Sequence, residues 1–117
     1  MIDGTLQYLL LKLSEDCTEL STAASKAALF DIEAYDGERS YKNNLEQSFN
    51  DVYSSLLLIN RVMDNLIFPD EVSIVNKLER LSLCATLSAG YGGIYLDVAN
   101  NVQECVTMFS NELKERM

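Results

Sequence analysis

The sequence predicts an all-α fold, arranged as a single domain that resembles a four-helix bundle. Only one proline and five glycines occur among 117 residues, which is too few for a turn-rich β fold. Apolar residues recur at spacings of three and four, as they do on one face of a helix. Two long helices joined by a polar loop, followed by two shorter helices, suggest a bundle. A bundle this small often gains core by dimerising, so we expect an oligomer.

The first two predicted helices flank a polar loop. The first covers about residues 5–30, and its apolar stripe comprises Leu6, Leu9, Leu10, Leu13, Cys17, Leu20, Ala24 and Ala27. The loop that follows holds Gly37 and shows no period, and Asn43 or Asn44 is a fair N-cap for the second helix. The stripe of the second helix comprises Leu45, Phe49, Val52, Leu56, Ile59, Val62, Met63 and Leu66.

Two further helices are predicted after a stop at residues 67–70. Asp70 is the expected N-cap of the third helix, whose stripe comprises Val72, Val75, Leu78, Leu81 and Ala85. The glycine-rich run at residues 89–93 breaks that helix. The fourth helix covers about residues 94–115, and its stripe comprises Val98, Val102, Cys105 or Val106, Phe109 and Leu113.

Composition excludes several classes of function. The net charge of −9 repels nucleic-acid backbone and anionic lipid and attracts divalent cations, so we expect no nucleic-acid or membrane partner. The start M-I-D-G-T-L-Q lacks the features of a signal peptide, and no apolar run is long enough to span a bilayer. We therefore expect a cytoplasmic protein.

The three cysteines and the absence of histidine narrow the chemistry further. No CxxC motif and no histidine occur, which argues against zinc sites and against histidine-dependent catalytic triads. We interpret Cys17, Cys84 and Cys105 as small core residues in a reducing compartment.

An acidic cluster in the first helix is the strongest functional signal. In S-E-D-C-T-E-L, residues 14–20, Asp16 and Glu19 lie three apart and share a face, and Glu15 is adjacent. Such a cluster is either a solvated surface or a site for Mg²⁺, which prefers oxygen ligands. A metal site needs a partner acid from the second helix. The candidate is Asp51, on a polar strip with Asn44, Ser48 and Ser55.

Three blocks resemble a known family. K-L-S-E-D-C-T-E-L-S-T-A-A-S-K, L-E-Q-S-F-N-D-V-Y-S-S-L-L-L-I and D-E-V-S-I-V-N-K-L-E-R-L are similar to the MazG-like all-α nucleoside triphosphate pyrophosphohydrolases, which include short versions in phages and bacteria. The first block looks like the family's Glu-Glu-x-x-Glu motif and the second like its Glu-x-x-Asp motif. The similarity covers about residues 5–83, and residues 84–117 form an additional helical segment.

The resemblance implies a nucleotide ligand and Mg²⁺ held by four acids, with a metal-activated water that attacks the phosphate chain. By position, it implies metal ligation by Asp16, Glu19 and Asp51. It also implies catalytic roles for Glu15, Glu19 and Asp51. The residues placed to contact phosphates are Lys26, Lys77 and Arg80.

One departure from the family keeps two alternatives open. Ser48 stands where the family has the glutamate of Glu-x-x-Asp, and a hydroxyl supplies no charge to a Mg²⁺ site. The chain is therefore a pyrophosphohydrolase with an altered site, or a relative that binds or sequesters a nucleotide without cutting it. A third alternative is a helical adaptor that binds a protein partner through its C-terminal helix.

Overall fold

Four helices and one short hairpin make up the regular structure of the described residues. The computed structural model describes residues 4–89 and 96–116. Its elements are α1 (Gly4–Phe30), β1 (Tyr35–Asp36), β2 (Arg39–Ser40), α2 (Tyr41–Val62), α3 (Glu71–Ala89) and α4 (Leu96–Arg116). This confirms the predicted all-α class with four helices. The chain divides into two compact units, Met1–Phe68 and Pro69–Met117, and each is described by itself.

In the first unit, α1 packs against α2 as an antiparallel pair. Asp16 contacts Ser55, and Phe30, at the end of α1, stacks on Tyr41, at the start of α2. Later positions of α1 therefore lie beside earlier positions of α2. Among the described residues of this unit, Ile59 is fully buried, and Leu9 and Ala23 are nearly as buried.

The packed face of α1 follows the predicted spacing with two corrections. Leu13, Leu20 and Ala27 are half-buried, as the stripe predicted. Cys17 and Ala24 are exposed instead, and the buried alanine is Ala23. The physical reason is the 100° step per residue, which places Ala23 and Ala27 in line with Leu9 and turns Cys17 toward the edge of the stripe.

The connection between α1 and α2 contains a hairpin that the sequence pattern did not predict. Tyr35 pairs with Ser40 and Asp36 with Arg39 in antiparallel register. Gly37 adopts a φ of 73° in the two-residue loop, a conformation that favours glycine over residues with a Cβ.

The N-cap of α2 is Ser40, so the prediction of Asn43 or Asn44 was wrong. The Ser40 hydroxyl accepts a hydrogen bond from the backbone N–H of Asn43 at 3.0 Å, the bond that an N-cap side chain makes to the third helical residue. Because Ser40 is buried at the end of β2, the strand end and the helix start are fixed by the same residue.

Helix α2 ends at Val62, several residues before the predicted stop at residues 67–70. Asp64 and Asn65 adopt φ values of 54° and 62°, a left-handed conformation that these two residue types tolerate better than most. The Asn60 side chain accepts a hydrogen bond from the backbone N–H of Ile67 at 2.9 Å. A local turn therefore ends the helix before Pro69 is reached.

In the second unit, α3 packs against α4. The predicted cap is confirmed, because the Asp70 carboxylate accepts hydrogen bonds from the Ser73 hydroxyl and from its backbone N–H. These bonds lower the pKa of the Asp70 carboxyl below its usual value. The Ser110 hydroxyl donates to Glu71 at 2.7 Å. It thereby joins the first turn of α3 to a late turn of α4, as in an antiparallel pair.

Several features of the second unit lie outside the described residues. The predicted helix break and the predicted start at Ile94 fall mostly on residues 90–95. The side chains of Ala85, Val98 and Leu113 are likewise outside the description. Among the described residues, no helix combines the length and apolarity that crossing a membrane needs.

The interpretation of the cysteines as core residues was wrong, because Cys17, Cys84 and Cys105 are all exposed. Several apolar residues of the predicted stripes are exposed as well, namely Phe49, Val62, Leu66, Val72 and Leu81. Within each unit, the apolar side chains exceed the face that the one packed helix covers, so the periodicity marks more apolar positions than the pair itself buries.

Replacing Ile59 by alanine should destabilise the first unit strongly. The side chain is 0% exposed, so its removal leaves a cavity and should lower the free energy of unfolding by about 2–4 kcal/mol. Urea denaturation followed by far-UV circular dichroism measures this loss. Leu29→Ala is the control, because Leu29 is 77% exposed and should change stability by less than about 0.5 kcal/mol. Equal losses in the two variants would contradict the packing described.

Candidate functional site

Three carboxylates from two helices meet where α1 packs against α2. Asp16 and Glu19 come from α1 and Asp51 from α2, and one oxygen of each lies within 4.8 Å of the others. The antiparallel pairing of the helices produces this meeting, because it sets the middle of α2 beside the middle of α1. The structure therefore brings together the three acids that the sequence singled out as metal ligands.

Asp16 lies on the packed face of its helix, which is unusual for an acid. It follows Leu13 by three residues and precedes Leu20 by four, so it shares their face, and it is half-buried. The Ser55 hydroxyl of α2 donates a hydrogen bond to Asp16 Oδ2 at 2.5 Å. A buried or half-buried carboxylate needs such a partner to offset its lost hydration.

Asp51 is held by its own helix. Gln47 lies one turn earlier and donates from Nε2 to Asp51 Oδ1 at 3.0 Å. Asp51 is half-buried, whereas Glu19 is exposed. The two hydrogen bonds use one oxygen of each aspartate and orient both carboxylates, while Glu19 lies exposed at the rim.

No member of the cluster forms a direct ion pair among the described residues, although Lys12 interacts with Asp16 at longer range. Among the residues that the structure describes, the ion pairs are Lys12–Glu15 at 2.8 Å and Lys26–Asp36 at 3.6 Å, and neither includes a member of the cluster. Two unit charges about 4–5 Å apart repel by about 1 kcal/mol in water and by several times more near a protein surface. A bound cation would remove this repulsion, and an all-oxygen donor set suits Mg²⁺.

A pocket of about 230 Å³ adjoins the cluster and shares Glu19 with it. Helix α1, the hairpin and the start of α2 all contribute to its walls. The residues that line it are Thr18, Glu19, Thr22, Ala23, Lys26, Asp36, Tyr41 and Asn44. Tyr41 is also stacked on Phe30, with ring centroids 5.6 Å apart. The pocket thus combines an acid of the cluster, one lysine and one aromatic ring.

Besides Lys26, three predicted site residues are not members of the acid cluster, namely Glu15, Lys77 and Arg80. Glu15 forms the ion pair with Lys12 and thereby raises the pKa of the lysine ammonium. Lys77 and Arg80 lie on α3 in the second unit, where Arg80 helps to line an open pocket of about 560 Å³ with Ser73 and Glu79. Their contact with phosphates stays a prediction, as does a catalytic role for Glu15.

Three residues of the site region were not predicted as site residues. Ser55 belonged to the polar strip of α2, but its bond to Asp16 joins positions 39 residues apart, which no local pattern reveals. Gln47 could have been found, since it precedes Asp51 by four residues, the spacing of a side-chain pair on a helix. Asp36 had no signal, because its position depends on the hairpin.

Comparison with protein-family models, with curated proteins and with solved structures gives no match to this chain.

Asp51→Asn should strongly weaken stabilisation by Mg²⁺. The amide can still accept the bond from Gln47, but it removes one of three charges, which should lower Mg²⁺ affinity by about tenfold or more. Thermal unfolding with EDTA and with millimolar Mg²⁺ measures the effect. Glu46→Gln is the matched control, since it removes an exposed acid of the same helix. An equal Mg²⁺ response in both variants would show general charge screening and would contradict a site.

Proposed function

We propose that this chain is a cytoplasmic, Mg²⁺-dependent nucleotide-binding protein of the MazG-like pyrophosphohydrolase type. Its ligand would be a nucleoside triphosphate or a related nucleotide, which it hydrolyses if the altered metal site is still active. The observation that carries the proposal is the convergence of Asp16, Glu19 and Asp51 within 4.8 Å. These are the positions that the resemblance assigned to the metal.

The donor set supports Mg²⁺ over softer metals. All three side chains offer carboxylate oxygens, and Mg²⁺ takes a few carboxylates while keeping several waters and binding substrate phosphates. When bound, Mg²⁺ would neutralise the phosphate chain and lower the pKa of a coordinated water. The chain's own residues would orient the ligand. Ser55 and Gln47 hold two of the carboxylates, and Lys26 lies in the pocket that Glu19 also lines.

The pocket supports a nucleotide as the ligand class. It places one lysine within the same walls as an acid of the cluster, so a phosphate chain could contact both a metal ion and the lysine. The ring of Tyr41 offers a surface on which a base could stack, and the Asn44 amide offers a donor and an acceptor. With a net charge of −9 on the chain, an anionic ligand binds more readily when a cation partly neutralises its charge.

Binding without hydrolysis is a second candidate, and Ser48 favours it. Ser48 is half-buried on α2 and lies three residues before Asp51, where the family has its fourth acid. Three carboxylates hold Mg²⁺ less firmly than four, and activation of a water depends on that ion. The pocket could then capture a nucleotide and release it unchanged.

Assembly of several copies is part of the proposal. On α2, Phe49, Tyr53 and Leu57 recur every four residues and are all exposed, and Phe49 and Tyr53 stack with ring centroids 6.1 Å apart. An exposed apolar stripe of this kind is typical of an interaction surface. A second copy of the chain would cover it.

Nucleotides with Mg²⁺ should raise the melting temperature of the protein. A ligand at 100 times its Kd adds about 2.7 kcal/mol of stability, which corresponds to several degrees for a domain of this size. A thermal-shift screen of nucleotides, followed by chromatography of each hit, measures both binding and turnover. Conversion to a monophosphate supports hydrolysis, and recovery of intact nucleotide supports capture. If Mg²⁺ alone raises the melting temperature of the wild type but no nucleotide raises it further, the nucleotide proposal fails and the adaptor alternative gains support.

Ser48→Glu should restore a stronger metal site. A fourth carboxylate beside Asp51 should raise Mg²⁺ affinity by about tenfold or more. If the protein binds a nucleotide, the same change should also raise the rate at which pyrophosphate is released. Isothermal titration of Mg²⁺ and a pyrophosphate assay measure the two effects. Ser48→Gln is the matched control, because it has nearly the same size without the charge. If the two variants bind Mg²⁺ equally, position 48 does not contribute to a metal site.

A further inference from the structure

The pocket beside the acid cluster contains an ion pair that an anionic ligand would have to open. Lys26 Nζ lies 3.6 Å from Asp36 Oδ2, and the two side chains are 48% and 49% exposed. Both residues line the pocket. Ion pairs of this exposure contribute little to stability, so the pair can exchange partners at small cost.

The hairpin holds Asp36 in place above α1. The turn is fixed by Gly37 at a φ of 73°, and the loop is tied to the start of α2 by backbone hydrogen bonds from Tyr41 to Ala34 and from Lys42 to Ile32, both 2.9 Å. The backbone position of Asp36 is therefore set by the fold, while its exposed side chain can change partner. Arg39 lies directly opposite Asp36 in the register of the hairpin.

We propose that Asp36 is a displaceable counter-ion of Lys26, which a polyphosphate chain replaces when it enters the pocket. A phosphate oxygen takes the place of the Asp36 carboxylate at Lys26 Nζ. The carboxylate is then close to Arg39, its cross-strand neighbour. The identity of the polyphosphate as part of a nucleotide rests on the proposed function, whereas the exchange of anions at Lys26 does not.

Charge gives this exchange a selective effect. The charged residues that line the pocket are Glu19, Asp36 and Lys26, so acids outnumber the lysine and a free anion is repelled. A polyphosphate whose charge is partly neutralised by a cation at the acid cluster meets less repulsion. Asp36 therefore weakens the binding of metal-free phosphates more than the binding of metal-bound ones.

The spacing along α1 suits a chain of two or three phosphates. Glu19 and Lys26 are seven residues apart, nearly on one face, and are separated by about 10 Å along the helix axis. Both side chains line the same pocket. One end of the polyphosphate would lie near the acids and the other near the lysine.

Isothermal titration with inorganic tripolyphosphate tests the inference, first in EDTA and then with Mg²⁺. In EDTA, Asp36→Asn should bind tripolyphosphate about three- to tenfold more tightly than the wild type, and the gain should be smaller with Mg²⁺. Glu38→Gln is the matched control, because it removes the same charge from the exposed loop of the same hairpin; it should change affinity less than about twofold. In a Lys26→Gln background, the gain from Asp36→Asn should fall below about twofold, because only the general repulsion by the carboxylate is then relieved.

Three results would overturn the inference. They are equal affinities for Asp36→Asn and Glu38→Gln, a gain of undiminished size without Lys26, and no detectable binding to either the wild type or Asp36→Asn. The test is separable from that of the proposed function, which depends on Mg²⁺ stabilisation through Asp51. If Asp36→Asn does not tighten tripolyphosphate binding but Mg²⁺ still stabilises the protein through Asp51, only the counter-ion role of Asp36 is rejected. If Asp36→Asn tightens tripolyphosphate binding in EDTA but Mg²⁺ does not stabilise the protein, the anion pocket is supported and the metal-dependent function is rejected.

Discussion

A carboxylate on the packed face of α1 is the constraint on which the first unit depends. Asp16 shares its face with leucines and alanines, and its charge must be compensated because it is half-buried. The hydroxyl of Ser55 provides a hydrogen bond from the neighbouring helix. That bond requires one register between α1 and α2, and the same register sets Asp51 beside Glu19. An apolar residue at position 16 would pack as well without specifying a site.

The connection between the helices extends this arrangement toward a ligand. Ser40 ends β2 and caps α2, so the hairpin is fixed relative to the helix pair and reaches over the last turns of α1. Its Asp36 contacts Lys26, which lies two turns beyond Glu19. The acids, the lysine and the hairpin thus form one continuous surface of the first unit, although three separate segments of the chain contribute to it.

Local patterns predicted the parts of this arrangement that depend on near neighbours. Spacing gave the bounds of α1, and the acid at position 70 gave the cap of α3. The start of α2 was misplaced because Asn43 and Ser40 are both good caps, and only the hairpin decides between them. Two-residue strands have no alternation to detect. The bond between Ser55 and Asp16 joins distant positions, so the three acids could be named from sequence while the support of Asp16 could not.

The central claim is that two helices supply one cation site. Paramagnetic broadening by substoichiometric Mn²⁺, read from amide resonances of the full chain, tests it most directly. We expect the strongest broadening in two segments together, residues 15–20 of α1 and residues 47–55 of α2. Excess Mg²⁺ should reverse it. Broadening spread over the other exposed acids, or confined to one of the two helices, would contradict the account.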